Sequence, residues 1–163
     1  HTAIRRQRQM CIRDRGRVIL SDAIEYANRL KVSEMIDLAT LTGACMVALG
    51  NYTAGLFSNT VKQADKILKS SQNAGEKIWE LPLDEDLRSS IESNIADIKN
   101  SASTRYGGAI TAAMFLQHFV DKSIPWSHID IAGPAYIDSK RPWLAPGATG
   151  FGVMTLLDYL GAI

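Results

Sequence analysis

The sequence predicts an α/β fold with three layers, in which a mostly parallel sheet carries helices on both faces. Short apolar runs such as 35–38 and 129–131 are bounded by small or turn-forming residues, as buried strands are. They alternate with longer segments whose apolar residues recur every three or four positions, the period of a helix. The chain has 163 residues, which suffices for one domain with a buried core.

In the first half of the chain, the spacing of apolar residues predicts each element in turn. A helix is expected over about 17–30, because apolar residues there lie on one side and charged residues on the other. An apolar strand is expected over 34–40, and the apolar run at 45–50 is interpreted as a second buried strand, followed by AGLFSN. A polar helix is expected over about 60–73, before the run KIWELPL.

The second half continues the alternation. A helix is expected to open at DEDLRSSIES, because Asp and Glu suit a helix N-terminus. Residues 94–108 are expected to form a long loop, and 109–120 a helix that is apolar on nearly every side. WSHIDIAG alternates as a strand does, and 153–160 carries the pattern of a final amphipathic helix. Three prolines lie between these last two elements, at Pro134, Pro142 and Pro146.

Residues 1–15 differ from the rest of the chain. They hold five arginines and one acid, a net +4, with no apolar residue at a helical or strand period. We expect this leader to be disordered, because it offers no face that could offset an ordering cost of about 1–2 kcal/mol per residue. Residues 16–163 carry 13 basic and 16 acidic residues, a net −3, and this charge argues against general nucleic-acid binding.

Cysteine content and hydropathy indicate the cellular setting. The two cysteines, Cys11 and Cys45, exclude a disulfide framework and a CxxC metal site within the chain. No apolar run reaches the roughly 18–20 residues that span a bilayer. The leader has no apolar segment or cleavage site typical of a signal peptide. The sequence predicts a cytoplasmic protein without a membrane partner.

Two loops are candidates for a ligand site, because they leave the carboxyl ends of predicted strands. TLTGA follows the first strand and AGPAY follows the last, and their small residues allow a ligand close to the backbone. Asp37 and Asp130 interrupt these strands, and a buried carboxylate needs partners to offset its desolvation. The sequence favours structural hydrogen bonds to a neighbouring loop for both, and ligand or catalytic duty is the alternative.

Other motifs carry weaker signals. GATGFG at 147–152 precedes a helix, so it is either an anion site or an ordinary glycine-rich turn. Arg17 stands at the start of the first predicted helix, where it would strengthen an anion site; a solvated arginine is the alternative. His118 is expected to be a packed residue, because the three histidines lie far apart without metal spacing. P-loop, GxSxG, HExxH and GxGxxG motifs do not occur.

Five blocks occur in a recognisable order: GRVILSDAIEYA, MIDLATLTGACMVALG, YGGAITAAMFLQHFV, WSHIDIAGPAY and PGATGFGV. They closely resemble the leucyl aminopeptidase (cytosol aminopeptidase) family of dinuclear metallopeptidases. The resemblance runs from Gly16 to about Leu160. It implies that residues 16–163 form the C-terminal part of that family's catalytic domain, with the α/β architecture expected above.

The leader departs from the family pattern. In the family the segment before GRVIL reads Asn-Thr-Asp-Ala-Glu-Gly-Arg, and its Asp and Glu bind the metals. Arg13 and Arg15 stand at those two positions here, and cationic side chains cannot coordinate a divalent ion. The run RQMCIRDR looks like a translated sequencing-adapter artefact, so we expect homology to start at Gly16, with the upstream metal ligands and catalytic Lys absent. An authentic basic tail on a nonpeptidase paralogue is the alternative.

The resemblance implies roles for a few residues. In the intact family enzyme two divalent ions, manganese or zinc and in some cases magnesium, bind the substrate and supply a hydroxide. An arginine at the position of Arg17 holds bicarbonate, which acts as general base, so Arg17 is the one catalytic candidate. No metal ligand is assigned in this chain, and none of these cofactors is expected to bind to it alone.

The substrate-binding candidates lie in the two loops identified above. The family positions of Thr40, Leu41 and Gly43 line the cleft and offer backbone groups to the substrate. Those of Ala132 and Ala135 form the pocket for the N-terminal side chain, where small residues leave room for leucine.

The implied function is a metal-dependent aminopeptidase that releases N-terminal residues, leucine preferred, from peptides with a free N-terminus. This chain is expected to be a fragment without metal ligands, inactive by itself. The alternative is a noncatalytic oligomerisation or interaction module derived from the peptidase. The family forms homohexamers, and the apolar segment 109–120 is compatible with either a subunit contact or a monomer core.

Overall fold

The computed structural model describes residues 2–102, 104–140, 142 and 144–163, with side chains from Gly16 onward. Its elements, in chain order, are α1 (Thr2–Arg29), β1 (Met35–Ala39), α2 (Gly43–Leu49), β2 (Thr53–Ser58), α3 (Val61–Ala74), β3 (Lys77–Glu80), a 3-10 helix (Glu85–Ile91), α4 (Gly108–Gln117), β4 (Trp126–Asp130), β5 (Tyr136–Ile137), β6 (Gly147–Ala148) and α5 (Val153–Tyr159).

Four strands form the central sheet, in the order β1-β4-β2-β3. β1 is parallel to β4, and β2 is parallel to β3. β2 and β4, at the centre, are antiparallel, so the sheet is mixed with two of its three strand pairs parallel. The short strands β5 and β6 form a separate antiparallel pair. The predicted mostly parallel sheet is confirmed.

Helices cover both faces of this sheet, because side chains alternate along each strand. On one face, Leu56 and Ile129 pack with Ile67 of α3 and Tyr159 of α5. The opposite face carries α1, α2 and α4, and the buried residues there form two clusters. One cluster includes Ile24, Phe115, Leu116 and Trp126. The other includes Cys45, Phe57, Ala109 and Ala113. This arrangement confirms the three-layer α/β fold.

Helix α4 accounts for the strongly apolar segment. Seven of its ten residues are buried. Met114 and Leu116 are fully buried, and Phe115 packs with Ile24 of α1. Since the core of the chain itself covers these side chains, the apolar composition of α4 needs no subunit contact to explain it.

Helix α1 is longer than the sequence pattern indicates. It begins at Thr2 and runs to Arg29, so the prediction of a helix starting near residue 17 is wrong. Arginine, glutamine and methionine are good helix formers, and they let the helix continue without an apolar face. Nothing is described of the side chains before Gly16, so the expected disorder of the leader stays a prediction.

The segment 45–50, which was predicted to be a buried strand, is mostly helical. It belongs to α2, which spans Gly43–Leu49. Thr42 caps its N-terminus by accepting a hydrogen bond of 3.0 Å from the backbone N–H of Cys45, and Gly50 follows its last residue with φ 74°. A short apolar run cannot distinguish strand from helix by period, and here the caps decide.

Candidate functional site

The carboxyl ends of β1 and β4 lie side by side. The two strands are parallel, and Ala39 is paired with Asp130 at their last register position. The N–H of Ile131 donates to the carbonyl of Ala39 at 2.9 Å, which continues the pairing beyond the strands. The loops at 40–42 and 131–135 therefore start from the same edge of the sheet, as the sequence predicted for its two candidate loops.

Asp130 joins these loops. Its carboxylate is fully buried, and Oδ1 accepts hydrogen bonds of 3.1 Å from the N–H groups of Leu41 and Ala132. Oδ2 accepts from the N–H of Thr42 at 3.1 Å and from its hydroxyl at 2.7 Å. Four donors thus offset the desolvation of the carboxylate. The prediction of structural hydrogen bonds to a neighbouring loop is correct for Asp130.

The same network reaches α2 through Thr42. The Thr42 hydroxyl donates to Asp130 and accepts from the N–H of Cys45. The Cys45 thiol is buried against the sheet, with 1% of the residue exposed. Burial and the nearby negative charge of Asp130 raise the pKa of this thiol to about 11. Cys45 is therefore a neutral packing residue at neutral pH.

A cavity of about 450 Å³ lies between this edge and α1. Arg17, Thr40 and Leu41 line it together, so the structure brings the catalytic candidate beside two of the substrate-binding candidates. The Arg17 guanidinium donates to the carbonyl of Asn100, and its Cζ lies 6.0 Å from the centre of the Phe115 ring. These contacts hold the cationic group at the cavity.

The helix-terminus argument for Arg17 is wrong. Arg17 lies in the interior of α1, so the N–H groups around it belong to the helix and do not form a free N-terminus. Any anion at this cavity would depend on the guanidinium itself. Arg17 stays a candidate because of its own charge, but the electrostatic support expected from a helix N-terminus is absent at its position.

The remaining substrate-binding candidates do not line this cavity, and only Ala132 and Ala135 lie in a loop. Gly43 is the exposed first residue of α2, with no atom within 4 Å of the position a Cβ would occupy. Ala132 and Ala135 are half-buried after β4. Between them, a Cβ on Gly133 would lie 2.2 Å from the carbonyl oxygen of Gly50, so this loop needs glycine to pass the turn after α2.

Half-buried Asp37 is the centre of a second polar group on the same sheet face as Asp130. One oxygen accepts from the indole N–H of Trp126 at 2.7 Å, and the other lies 2.5 Å from Nδ1 of His128. His128 is fully buried, with ring centres 6.2 Å from Phe57 and 6.4 Å from Trp126. The contacts of Asp37 are structural, as predicted, but its partners are side chains of the neighbouring strand β4, so the prediction of hydrogen bonds to a neighbouring loop is wrong for Asp37. The alternation of WSHID indicates that Trp126 and His128 lie on the same face of the sheet. It does not indicate that Asp37, on the neighbouring strand, contacts both of them.

The turn GATGFG does not present a free helix N-terminus to an anion. The Glu76 carboxylate, from the turn between α3 and β3, accepts from the N–H groups of Gly152 at 2.8 Å and Thr155 at 3.0 Å. It also accepts from the Thr155 hydroxyl at 2.5 Å. The carboxylate of Glu76 therefore occupies the helix N-terminus at which the sequence analysis considered a bound anion.

The described residues do not fit a dinuclear metal site. Among them, no three or more His, Cys, Asp or Glu side chains come together in a way that could hold a metal ion. The two carboxylates on β1 and β4, Asp37 and Asp130, already contact the partners given above. His118 is exposed and lies edge-on to Phe119, with ring centres 5.2 Å apart. Its expected packed position is therefore wrong.

Comparison with known proteins decides the family. Residues 12–157 match the model of the cytosol aminopeptidase family, catalytic domain. The chain belongs to the cytosol aminopeptidase family. The matched range begins before Gly16 and includes the last residues of the leader.

Individual relatives agree with this assignment. The probable cytosol aminopeptidase of Aquifex aeolicus (strain VF5) is 53% identical over 146 residues, which cover 89% of this chain and 29% of that protein. The probable cytosol aminopeptidase of Sulfurihydrogenibium sp. (strain YO3AOP1) is 52% identical over 145 residues, again 89% and 29%. The chain thus spans less than a third of the length of these relatives.

Solved structures share the fold. A mutant of tomato leucine aminopeptidase is 42% identical, with a TM-score of 0.84 over 91% of this chain and 28% of that one. The bottromycin maturation enzyme BotP in complex with Mn is also 42% identical, with a TM-score of 0.85 over 90% of this chain and 33% of that one. Within the described residues, none of the helices combines the length and apolar character that crossing a membrane requires.

Proposed function

We propose that this chain forms one wall of the active site of a metal-dependent aminopeptidase, which releases N-terminal residues, leucine preferred, from peptides with a free N-terminus. The observation that carries this proposal is the cavity where Arg17, Thr40 and Leu41 meet beside the carboxyl ends of β1 and β4. In an α/β sheet this edge is where ligands bind. Membership of the cytosol aminopeptidase family supports the same assignment.

The proposed roles follow from what each group can do chemically. The Arg17 guanidinium binds a bicarbonate ion, which takes a proton as general base. The backbone at Thr40, Leu41 and Gly43 hydrogen-bonds the substrate. The small side chains of Ala132 and Ala135 leave space for an apolar N-terminal side chain. Contacts of Arg17 with Asn100 and Phe115 limit the freedom of the guanidinium and so support this placement.

We further propose that the 163-residue polypeptide hydrolyses no peptide by itself. In the family, two ions, manganese or zinc and in some cases magnesium, would act as Lewis acids and lower the pKa of bound water. The described side chains do not supply their ligands, because Asp37 and Asp130 are engaged elsewhere. Arg13 and Arg15 carry the wrong charge at the two corresponding positions.

The first experiment uses the chain as it is. Isothermal titration calorimetry with MnCl₂ and ZnCl₂, and an assay with leucine p-nitroanilide, should show neither a stoichiometric metal pair nor hydrolysis. Binding of two ions per chain, or metal-dependent release of p-nitroaniline, would contradict the proposed inactivity.

The second experiment tests the aminopeptidase assignment. Residues 16–163 replace the matching segment of the Aquifex aeolicus relative, and the chimaera should release leucine from leucyl peptides only with divalent metal. In it, Arg17→Ala should lower kcat by about 10²–10⁴, the range for a positioned general base, with a smaller change in KM. Added bicarbonate should activate the parent chimaera and not the variant. Arg29→Ala is the matched control, because Arg29 is exposed and pairs with Glu25 on the same helix.

Two outcomes would redirect the proposal. If Arg17→Ala keeps kcat and the bicarbonate response, Arg17 only ties the Asn100 segment to α1. If the parent chimaera folds and forms the family's homohexamer, as sedimentation velocity can show, but has no activity, the noncatalytic interaction module replaces the peptidase.

A further inference from the structure

Asp130 connects the two proposed substrate loops without lying on the wall of the Arg17 cavity. We propose that Asp130 is a positioning residue, whose carboxylate turns the backbone carbonyls of Thr40 and Leu41 towards the substrate, where they accept its N–H groups. This inference rests on the proposed function, since it concerns the same cleft.

The direction of the carbonyls follows from peptide geometry. The N–H of Leu41 and the carbonyl of Thr40 belong to one planar trans peptide, so they point in opposite directions. The same holds for the N–H of Thr42 and the carbonyl of Leu41. Both N–H groups point at Asp130, at 3.1 Å, so both carbonyl oxygens are directed away from it. Thr40 and Leu41 line the cavity, and Asp130 is not among the residues that line it.

A carboxylate suits this task better than an amide. All four partners of Asp130 are donors, and a carboxylate has only acceptor sites. Asparagine would set its NH₂ group against an N–H of the loop, because only one of its two terminal atoms accepts. The loop would then shift, although the side chain keeps its volume.

The second loop is held by the same carboxylate. Oδ1 accepts from Ala132 as well as from Leu41, so the start of the 131–135 loop is fixed relative to the 40–42 loop. A single buried charge therefore sets both the carbonyl direction and the spacing between the peptide-binding and side-chain-binding parts of the proposed cleft.

The first test measures the positioning in the 163-residue chain. In Asp130→Asn, hydrogen exchange followed by NMR should be at least about tenfold faster at the amides of Leu41 and Thr42, relative to the amide of Ile131. Ile131 is the internal reference because its N–H bonds to Ala39 and not to Asp130. Asp138→Asn, at an exposed loop position, is the matched control. Unchanged relative exchange at Leu41 and Thr42 would overturn the proposal.

A second pair of variants covers the case in which Asp130→Asn does not fold. Thr42→Val removes the hydroxyl, which donates to Oδ2 and also caps α2 by accepting from the N–H of Cys45, while Thr42→Ser keeps both hydrogen bonds. Exchange at the Cys45 amide therefore reports the loss of the cap, and exchange at the Thr42 amide reports the loss at Asp130. We expect faster relative exchange at the Thr42 amide in the valine variant and near-parental exchange in the serine variant. Equal behaviour of the two variants would contradict a carboxylate-centred network.

The final test separates positioning from general stability. In the active chimaera, Asp130→Asn should lower kcat/KM for leucinamide about 2- to 10-fold more than for leucine methyl ester, the range for one hydrogen bond. The ester lacks the N–H that a loop carbonyl accepts, so a merely structural defect would lower both equally and refute the proposal. If the parent chimaera is inactive, the proposed function fails, and the exchange measurements still decide whether Asp130 orients the loop.

Discussion

Gly133→Ala provides a sharp test of how the two loops meet. A Cβ at residue 133 would lie 2.2 Å from the carbonyl oxygen of Gly50, whereas real Cβ contacts essentially never fall below 3.0 Å. The loop after β4 and the turn after α2 must then separate by about 0.8 Å. The opposing atom belongs to the backbone, so no side-chain rotation relieves the contact.

The expected cost follows from overpacking. Insertion of one methyl group into a tightly packed region costs about 1–3 kcal/mol. For a domain of this size, each kcal/mol lowers Tm by about 2–4 °C, so we expect a decrease of about 2–12 °C. The free energy of unfolding is measured by urea denaturation monitored by tryptophan fluorescence, and Tm by circular dichroism.

The matched control is Gly43→Ala. Gly43 lies in the first turn of α2 with open space around its Cβ position and no positive φ. Alanine there should leave stability unchanged or raise it by about 0.4–1 kcal/mol, because it restricts the unfolded chain. If Gly133→Ala changes the free energy of unfolding no more than Gly43→Ala does, the two loops do not pack as described.

Two further predictions concern the half-buried Glu76 and the buried Cys45. Glu76→Ala removes all three hydrogen bonds to the N-terminus of α5 and should destabilise the chain by about 3–5 kcal/mol in urea denaturation at pH 7, and Glu76→Gln should destabilise it by less. Glu80→Ala, at an exposed position, is the control. Equal losses of unfolding free energy in Glu76→Ala and Glu80→Ala would contradict the capping role. The pKa of Cys45 is raised from 9.0 to about 11, so its contribution to stability is fully present below pH 9 and is lost as pH rises towards about 11. Urea denaturation between pH 8 and 11 should therefore show a loss of up to about 2 kcal/mol that Cys45→Ala lacks; parallel pH profiles would refute this.

Local pattern predicted much of the architecture. The strands at β1 and β4 and the helices α3, α4 and α5 are all found where apolar periodicity placed them. The five motif blocks led to the correct family. The strands and helices could be predicted because burial imposes a period of two on a strand and of 3.6 on a helix. The family could be recognised because the blocks lie on the elements that surround the sheet edge.

The errors arose where local pattern carries too little information. The five apolar residues at 45–49 have no distinguishable period, and the helix they form is capped by Thr42, which the composition of the run does not indicate. The start of α1 was placed too late because helix propensity needs no apolar face. Both outcomes depend on backbone hydrogen bonds and propensities that the hydrophobic pattern does not record.

The sequence by itself determined the fold class, the family and the two loops in which the candidate residues lie. Only the tertiary structure decided what each polar group meets: that Asp130 accepts four hydrogen bonds from both loops, that Glu76 fills the α5 N-terminus, and that Arg17 reaches Asn100. The physical reason is distance along the chain. Periodicity reports whether a residue faces the core, but apart from the local bond between Asp130 and Ala132 these hydrogen bonds join residues 76 to 89 positions apart, which only the folded chain brings together.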